Sequence, residues 1–381
     1  MKLAEYQAKQ LFQGIGIPVP RGATVTSPEE ASRIAAELGG DVVLKAQIHS
    51  GGRGKAGGIR FASSPDEADR IARVMLHSEL KGEMINRILV EEKQNIRQEY
   101  YLSVMLDRNT RKTTLLFCPA GGMEIEEVAR STPGKIIKIA VDPVLGLQDF
   151  HLSALGRGVE FDTAQLRPLK ALVRKLYAVY TKYDCLLVEI NPLIYLDSGE
   201  IVALDAKLEM DDNARYRQPE LTAMADEACE DPLERIGRDA GFVVIKLKGT
   251  VSVISNGAGI AISTLDLLKK HGADAANILD LSGGATAEKV MRAVDVVTQD
   301  KDVSAVLFNI FGGITRCDEI ARGVTQVLER IPPEISVVCR LNGTNRDEGI
   351  RVLKEAGLGA AFDLEEAVRE VARVQRNKAE A

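Results

Sequence analysis

The chain has no tryptophan, its aromatic content is 4% of 381 residues, and its net charge is −6. These shortages weigh against nucleic-acid binding, which relies on a broad positive field and on aromatic stacking platforms. Any phosphate must therefore be gripped locally. No apolar stretch approaches the roughly 20 residues of a membrane span, and the opening MKLAEYQAKQ has no apolar signal core. A cytoplasmic protein, or a matrix protein stripped of its targeting segment, is expected. Cys118, Cys185, Cys229, Cys317 and Cys339 are odd in number, widely spaced and mostly set in apolar runs, which suits reduced core thiols better than disulfides or zinc. Of these only Cys317, beside a glycine turn, is a candidate for reactivity. The four histidines, His49, His77, His151 and His271, lack metal-binding spacing, and no Ser-His-Asp or Cys-His signature stands out.

A chain of this length exceeds one hydrophobic core, so two or three domains are expected. Residues 1–236 read as a mixed α/β region. Ser27-Pro28-Glu29-Glu30 is a helix start, with serine at the cap and proline at the first helical position; the strands VVLKAQ, RILVEE, YYLSVML and TTLLFC and a long helix around 164–183 follow. Residues 237–381 read as alternating strands and helices, from TVSVIS through NILDL, AVLFNIF and SVVCRL to AAFDL. Repeated βα units build a parallel sheet with helices on both faces. Three glycine turns recur at strand ends there, at 256–259, 282–286 and 311–315. In open α/β sheets ligands bind beyond the carboxyl ends of strands, so three such turns on one edge point to a binding edge.

Residues 186–208 form a hairpin on paper. A loop Asp197-Ser198-Gly199 sets Glu189 opposite Lys207 and Asn191 opposite Asp205, both pairs symmetric about Ser198. With period two, all four side chains project from one face. An Asp carboxylate and an Asn carbonyl suit Mg²⁺, which takes oxygen ligands and usually one or two from protein. Pro192 is a caution, because it marks a possible bulge that slips the register. The loop Ser50–Gly58 carries five glycines with Arg53 and Lys55, after a strand bearing Lys45. It is not a Walker A motif. It reads either as a mobile solvated loop or as a flap over a polyphosphate, with His49 beside it and Lys45 as the fixed contact. Glu91, Glu92 and Glu99 end or follow strands, where carboxylates accept from ribose hydroxyls or an adenine amino group.

EYQAKQLF, GIPVPRG, HSGGRGKAGG, GGMEIEEVA, VEINPL with LDAKL, NGAG and NIFGGITRCD together resemble the β subunit of succinate–CoA ligase, also called succinyl-CoA synthetase, over nearly the whole chain. The resemblance implies an α/β protein with an N-terminal ATP-grasp domain followed by a flavodoxin-like, parallel-sheet CoA-ligase domain. It implies nucleotide contacts at Lys45, Gly52, Arg53, Gly54, Glu91, Gln94 and Glu99, and Mg²⁺ ligands at Asn191 and Asp205. Glu189 matches a glutamate that positions a phosphohistidine, with Lys207 placed to hold it ionised, and Asn256, Gly313, Ile314 and Thr315 match acid-substrate contacts. Family members pass a phosphoryl group from ATP or GTP to a histidine and then to a carboxylate, and the CoA thiol attacks the acyl phosphate, a tricarboxylic acid cycle step. The histidine and most of the CoA site belong to a separate α subunit, in an αβ or α2β2 assembly. Three departures stand out: Ser282 for a glycine, Asn342 for a glutamate in RLxG, and Gln94 for a smaller residue. A sibling ligase acting on malate or citrate is the nearest alternative. A fold-retaining regulatory binder of nucleotide or acyl-CoA is another, and a carboxylate–amine ligase is a third.

Overall fold

The computed structural model describes residues 1–48, 52–157, 163–224, 231–361 and 363–379; His49, Ser50, Gly51 and Cys229 lie outside the described residues. Two compact units are present, Met1–Cys229 and Glu230–Ala381. Position 236 lies inside the helix Pro232–Asp239. None of the described helices is long and apolar enough to cross a membrane.

The first unit holds two principal sheets. In the smaller, the strands Gly22–Val25, Ile88–Glu92, Val42–Ala46 and Ile59–Ala62 lie in that order, all antiparallel. The helices Pro28–Glu37 and Pro65–Met75 share its core of Ala31, Ile34, Ala68, Ala72 and the strand interiors. Each starts in the same way: Ser27 and Ser64 accept from the amides of Glu30 and Glu67 at 3.2 Å, with proline at the first helical position. In the larger sheet the order is Lys2–Leu3, Lys207–Met210, Cys185–Leu196, Ile96–Asp107, Lys112–Cys118 and Ile137–Val141, with Ile201–Ala203 also paired to Cys185–Leu196. The long helix Thr163–Lys182 covers it through Leu169, Leu172, Val173, Leu176 and Val179.

The second unit has a five-stranded sheet in the order Val243–Lys246, Ala275–Asp280, Val251–Ser255, Ala305–Gly312, Ser336–Gly343. The first pairing is antiparallel and the rest are parallel. The parallel strands thus run 2-1-3-4, a flavodoxin-like order with its switch point between Val251–Ser255 and Ala305–Gly312. Among the described residues, the expected strand AAFDL contributes one parallel bridge, between Cys339 and Ala360.

One expectation for this unit needs correction. Cys317 is buried and opens the helix Cys317–Val327, but burial pushes its thiol pKa up, so it is an inert core thiol rather than a reactive one. Cys118, Cys185 and Cys339 are likewise buried and free. Ser282 does not cap a helix, because Thr286 caps Ala287–Val297 by accepting from the Lys289 amide at 3.3 Å. Instead Ser282 sits in the left-handed region at φ 59°, its amide donating to Asp280 Oδ1 at 2.7 Å. A side chain there costs about 1 kcal/mol relative to glycine. Ser282→Gly is therefore expected to stabilise the protein by about that amount in a denaturation midpoint; a lower midpoint would show that the hydroxyl matters more than the backbone.

Candidate functional site

The hairpin forms in the register read from its sequence. Glu189 is opposite Lys207, and Leu193, Ile194 and Tyr195 are opposite Ala203, Val202 and Ile201. Each pair of numbers sums to 396, which puts Asn191 and Asp205 at facing positions. Gly199 supplies the left-handed turn at φ 88°. The irregularity near Pro192 falls on the other neighbour: the pairing with Ile96–Asp107 slips between Ile190 and Leu193. The hairpin register is untouched.

Six charged side chains converge where the hairpin, the first helix and the smaller sheet meet. Helix Glu5–Gly14 brings Glu5 and Lys9, four residues apart, onto one face, with Lys9 Nζ 2.9 Å from Glu5 Oε1. Lys9 also donates to Glu91 Oε1 at 2.5 Å and to the Leu204 carbonyl at 2.8 Å. Lys45 Nζ donates to the Leu204 carbonyl at 2.7 Å and to Glu5 Oε1 at 3.2 Å, and forms an ion pair with Glu91 Oε2 at 2.7 Å. Arg53 donates to the Ala46 carbonyl at 3.1 Å and to both oxygens of Asp205 at 3.1 Å, and pairs with Glu5. Three carboxylates thus face three cations. Lys45 is 4% exposed and Arg53 8%, so Arg53 is no part of a solvated flap; of the two loop cations only Lys55 lies outside, 3.2 Å from Glu124.

Burial and charge compete throughout this cluster. Burial works to raise the Glu5 pKa, but Arg53, Lys45 and Lys9 overcome it and hold Glu5 well below its ordinary value. Burial also works against the Lys45 ammonium, and Glu5, Glu91 and Asp205 reverse the effect, so its pKa is raised. Lys9 goes the other way, lowered by burial despite Glu5. Burial raises Asp205 even with Arg53 beside it, although its side chain keeps 35% exposure. Glu189 departs from expectation. Burial outweighs Lys207, so its pKa is raised, and the Tyr101 hydroxyl is an additional partner.

Asn191 does more than face Asp205. Its Oδ1 accepts from the Gly122 amide and its Nδ2 donates to the Met123 carbonyl, both at 2.9 Å. The Gly121–Met123 turn also touches Glu99, whose carbonyl accepts from the Gly121 amide at 3.2 Å. Gly122 is left-handed at φ 71°, a conformation glycine favours, and a Cβ there would push on the Glu99 carboxylate 2.6 Å away. Gln94 is half-buried and linked to Glu92 rather than to the six-charge cluster. Gly52 and Gly54 flank Arg53, with Gly52 left-handed at φ 71°. A cavity of about 240 Å³ lies beside the cluster, lined by Lys9 and Glu91 and by the apolar Val19, Pro20, Ala23 and Leu89 among others. Among the described residues no set of three or more His, Cys, Asp or Glu is placed to hold a metal.

At the switch point of the second unit, the Asn256 side chain pairs with the backbone of Phe311. Nδ2 donates to the Phe311 carbonyl and Oδ1 accepts from its amide, both at 2.9 Å. Thr315 Oγ1 accepts from the Gly284 amide at 3.0 Å. The three glycine turns are thereby tied together at one sheet edge. Gly313 and Ile314 lie on its outer surface, Ile314 at 87% exposure.

Sequence reasoning named Lys45, Arg53, Glu91 and Asp205 but missed Glu5 and Lys9, which hold them. The available signal was the pair of opposite charges four apart in EYQAK; such pairs are usually solvent-exposed, and it is burial of the helix that sets this one apart.

A family model described as an ATP-grasp domain matches residues 2–195, and one described as a CoA-ligase matches residues 254–374. The chain is 44% identical over 379 residues to the succinate–CoA ligase [ADP-forming] subunit beta of Chloroflexus aurantiacus, covering 99% of this chain and 100% of that one. It is 43% identical over 384 residues to the protein of the same description in Desulfatibacillum aliphaticivorans, covering 98% of this chain and 100% of that one. Among solved structures, ATP citrate lyase from Methanothrix soehngenii in complex with citrate and coenzyme A aligns with a TM-score of 0.74 at 19% identity, over 98% of this chain and 99% of that one. At that identity the likeness is one of fold.

Proposed function

Because the chain belongs to the succinate–CoA ligase β-subunit family, an ATP-grasp domain followed by a CoA-ligase domain, we propose that it is the nucleotide-binding subunit of an ADP-forming succinate–CoA ligase, active with an α subunit that carries the phosphorylated histidine and most of the CoA site. The observation that carries this reading is the convergence of Lys45, Arg53, Glu91 and Asp205, drawn from separate stretches of chain, into one buried cluster beside a cavity. Phosphoryl transfer needs positioning and charge neutralisation more than covalent help from the protein. The cluster is suited to both: Lys45 and Arg53 are kept cationic, and a polyphosphate would compete with Glu5 and Glu91 for them. Glu91, Gln94 and Glu99 are assigned to the nucleoside end, Glu91 lining the cavity and Glu99 touching the Gly121–Met123 turn.

Asn191 and Asp205 fit Mg²⁺ by donor chemistry, an amide carbonyl and a partly exposed carboxylate, for which the metal would compete with Arg53. When bound, Mg²⁺ would neutralise charge on the nucleotide phosphates. Glu189, with Lys207 opposite it and Tyr101 as a partner, is assigned to position the incoming phosphohistidine. Asn256 and the 313–315 turn are assigned to the acid.

The test is co-expression with the α subunit and an assay with succinate, malate and citrate, each with ATP and GTP. Expected are phosphorylation of a histidine on the partner and turnover highest with succinate and ATP. Preference for malate or citrate would favour the sibling reading, and an unphosphorylated partner would end the ligase reading.

A further inference from the structure

None of the residues assigned above to the acid carries a charge, and the neighbouring Arg316 is paired with Asp318. The Asn256 amide is occupied by the Phe311 backbone, and Thr315 Oγ1 by the Gly284 amide. A dicarboxylate brings two negative charges, and the carboxylate that does not react keeps its charge throughout; held against protein, it needs a cation.

Arg340 is placed to supply one. It pairs with Asn309 in the parallel register, and Phe311 pairs with Asn342 two residues on. All four therefore share one face at the carboxyl end of the sheet. Asn309 donates through Nδ2 to Thr264 Oγ1 at 2.7 Å, which leaves its oxygen for Arg340. Even so, Arg340 Nη1 reaches only 3.4 Å from Asn309 Oδ1 and 3.5 Å from the Ile310 carbonyl. Both contacts are at the outer limit of hydrogen bonding. Its Nε is buried without a hydrogen-bond partner, and Nη2 has none among the described residues. The guanidinium lies 5.9 Å from the centroid of the Phe311 ring, which is 55% exposed. Burial first and Arg346 second lower its pKa, with Asp363 and Cys317 opposing. Asn342, where the family commonly carries glutamate, is neutral and offers no counter-charge. A five-donor cation with two long contacts is short of acceptors.

We propose that Arg340 is the charged contact for the non-reacting carboxylate of the acid substrate and a determinant of the enzyme's affinity for it. This rests on the ligase reading. A planar guanidinium suits a carboxylate in two-point contact, and the Asn256–Phe311 pairing holds the turn whose ring lies against it.

The experiment measures KM for succinate, ATP and CoA in the assembled enzyme for wild type, Arg340→Gln and Arg340→Lys. Arg340→Gln is expected to raise KM for succinate about 10- to 100-fold, the range for a charged hydrogen bond, and to leave the other two KM values within about twofold. Arg340→Lys should fall between, since it keeps the charge and loses the fork. Arg340→Lys, which keeps the positive charge, also keeps the test open if Arg340→Gln does not fold. Unchanged succinate KM in these variants, or an equal rise in all three KM values, would overturn the proposal. A wild-type complex with no succinate-dependent turnover would instead overturn the ligase reading beneath it.

Discussion

Asp205→Ala, assembled with its partner and assayed with Mg²⁺, is expected to lose about 10²-fold or more in turnover, by analogy with removal of a group that stabilises transition-state charge. The side chain stands at the hairpin position facing Asn191, and its oxygens also hold Arg53 and the Ala206 amide. The substitution therefore has two consequences, loss of a hard oxygen ligand and release of a buried guanidinium. Asp205→Asn separates them. It keeps the shape and one oxygen acceptor, so Arg53 retains a partner, whereas affinity for a divalent cation falls with the lost charge. Its half-saturating Mg²⁺ concentration should rise more than its thermal stability drops. Normal turnover by a folded, assembled Asp205→Ala enzyme would show that the metal is held elsewhere.

Glu5→Gln is expected to destabilise the protein by about 3–5 kcal/mol, the usual cost of breaking one side of a buried charge pair. Glu5 contacts Lys9, Lys45 and Arg53 at once, so its neutralisation leaves three buried cations facing Glu91 and Asp205 alone. Adding Lys9→Met restores a balance of two against two. The double variant should recover part of the loss in urea denaturation, and a merely additive double variant would argue against coupling. The sign of the acid response follows from the same contacts. Glu5 is held well below its ordinary value of 4.5, so its contribution is fully present above that value and is lost as pH falls through the lower folded-state pKa. Wild type should therefore lose stability more steeply on acidification than Glu5→Gln, and parallel acid limbs would contradict the assignment.

Some of this protein is written in short stretches of chain. Asp197-Ser198-Gly199 specifies a left-handed turn, period two then carries the register outward, and Glu189 meets Lys207 as a result. Ser27-Pro28 and Ser64-Pro65 start helices because hydroxyl and imino ring each suit the first turn. Elsewhere local reading was insufficient. AAFDL has the composition of a strand, yet its described residues make one bridge, to Cys339. Arg53 stands among glycines and reads as a solvated loop cation; a carboxylate 48 residues earlier and another 152 residues later draw it inside. Glu189 has the lysine expected to keep it ionised, but Lys207 is exposed while Glu189 is partly buried, and burial prevails.

Backbone preferences act over a few residues, so most of the strands and helices, the two fold types in their order, and the hairpin with its facing pairs were available from the order of amino acids. Charge compensation acts through space. Glu5 and Lys9 joining Lys45, Arg53, Glu91 and Asp205, and Arg340 left with two long contacts under Phe311, came from packing alone. The reason is physical: the worth of a buried charge depends on every charge and dipole within a few ångströms, and only the folded chain sets those neighbours.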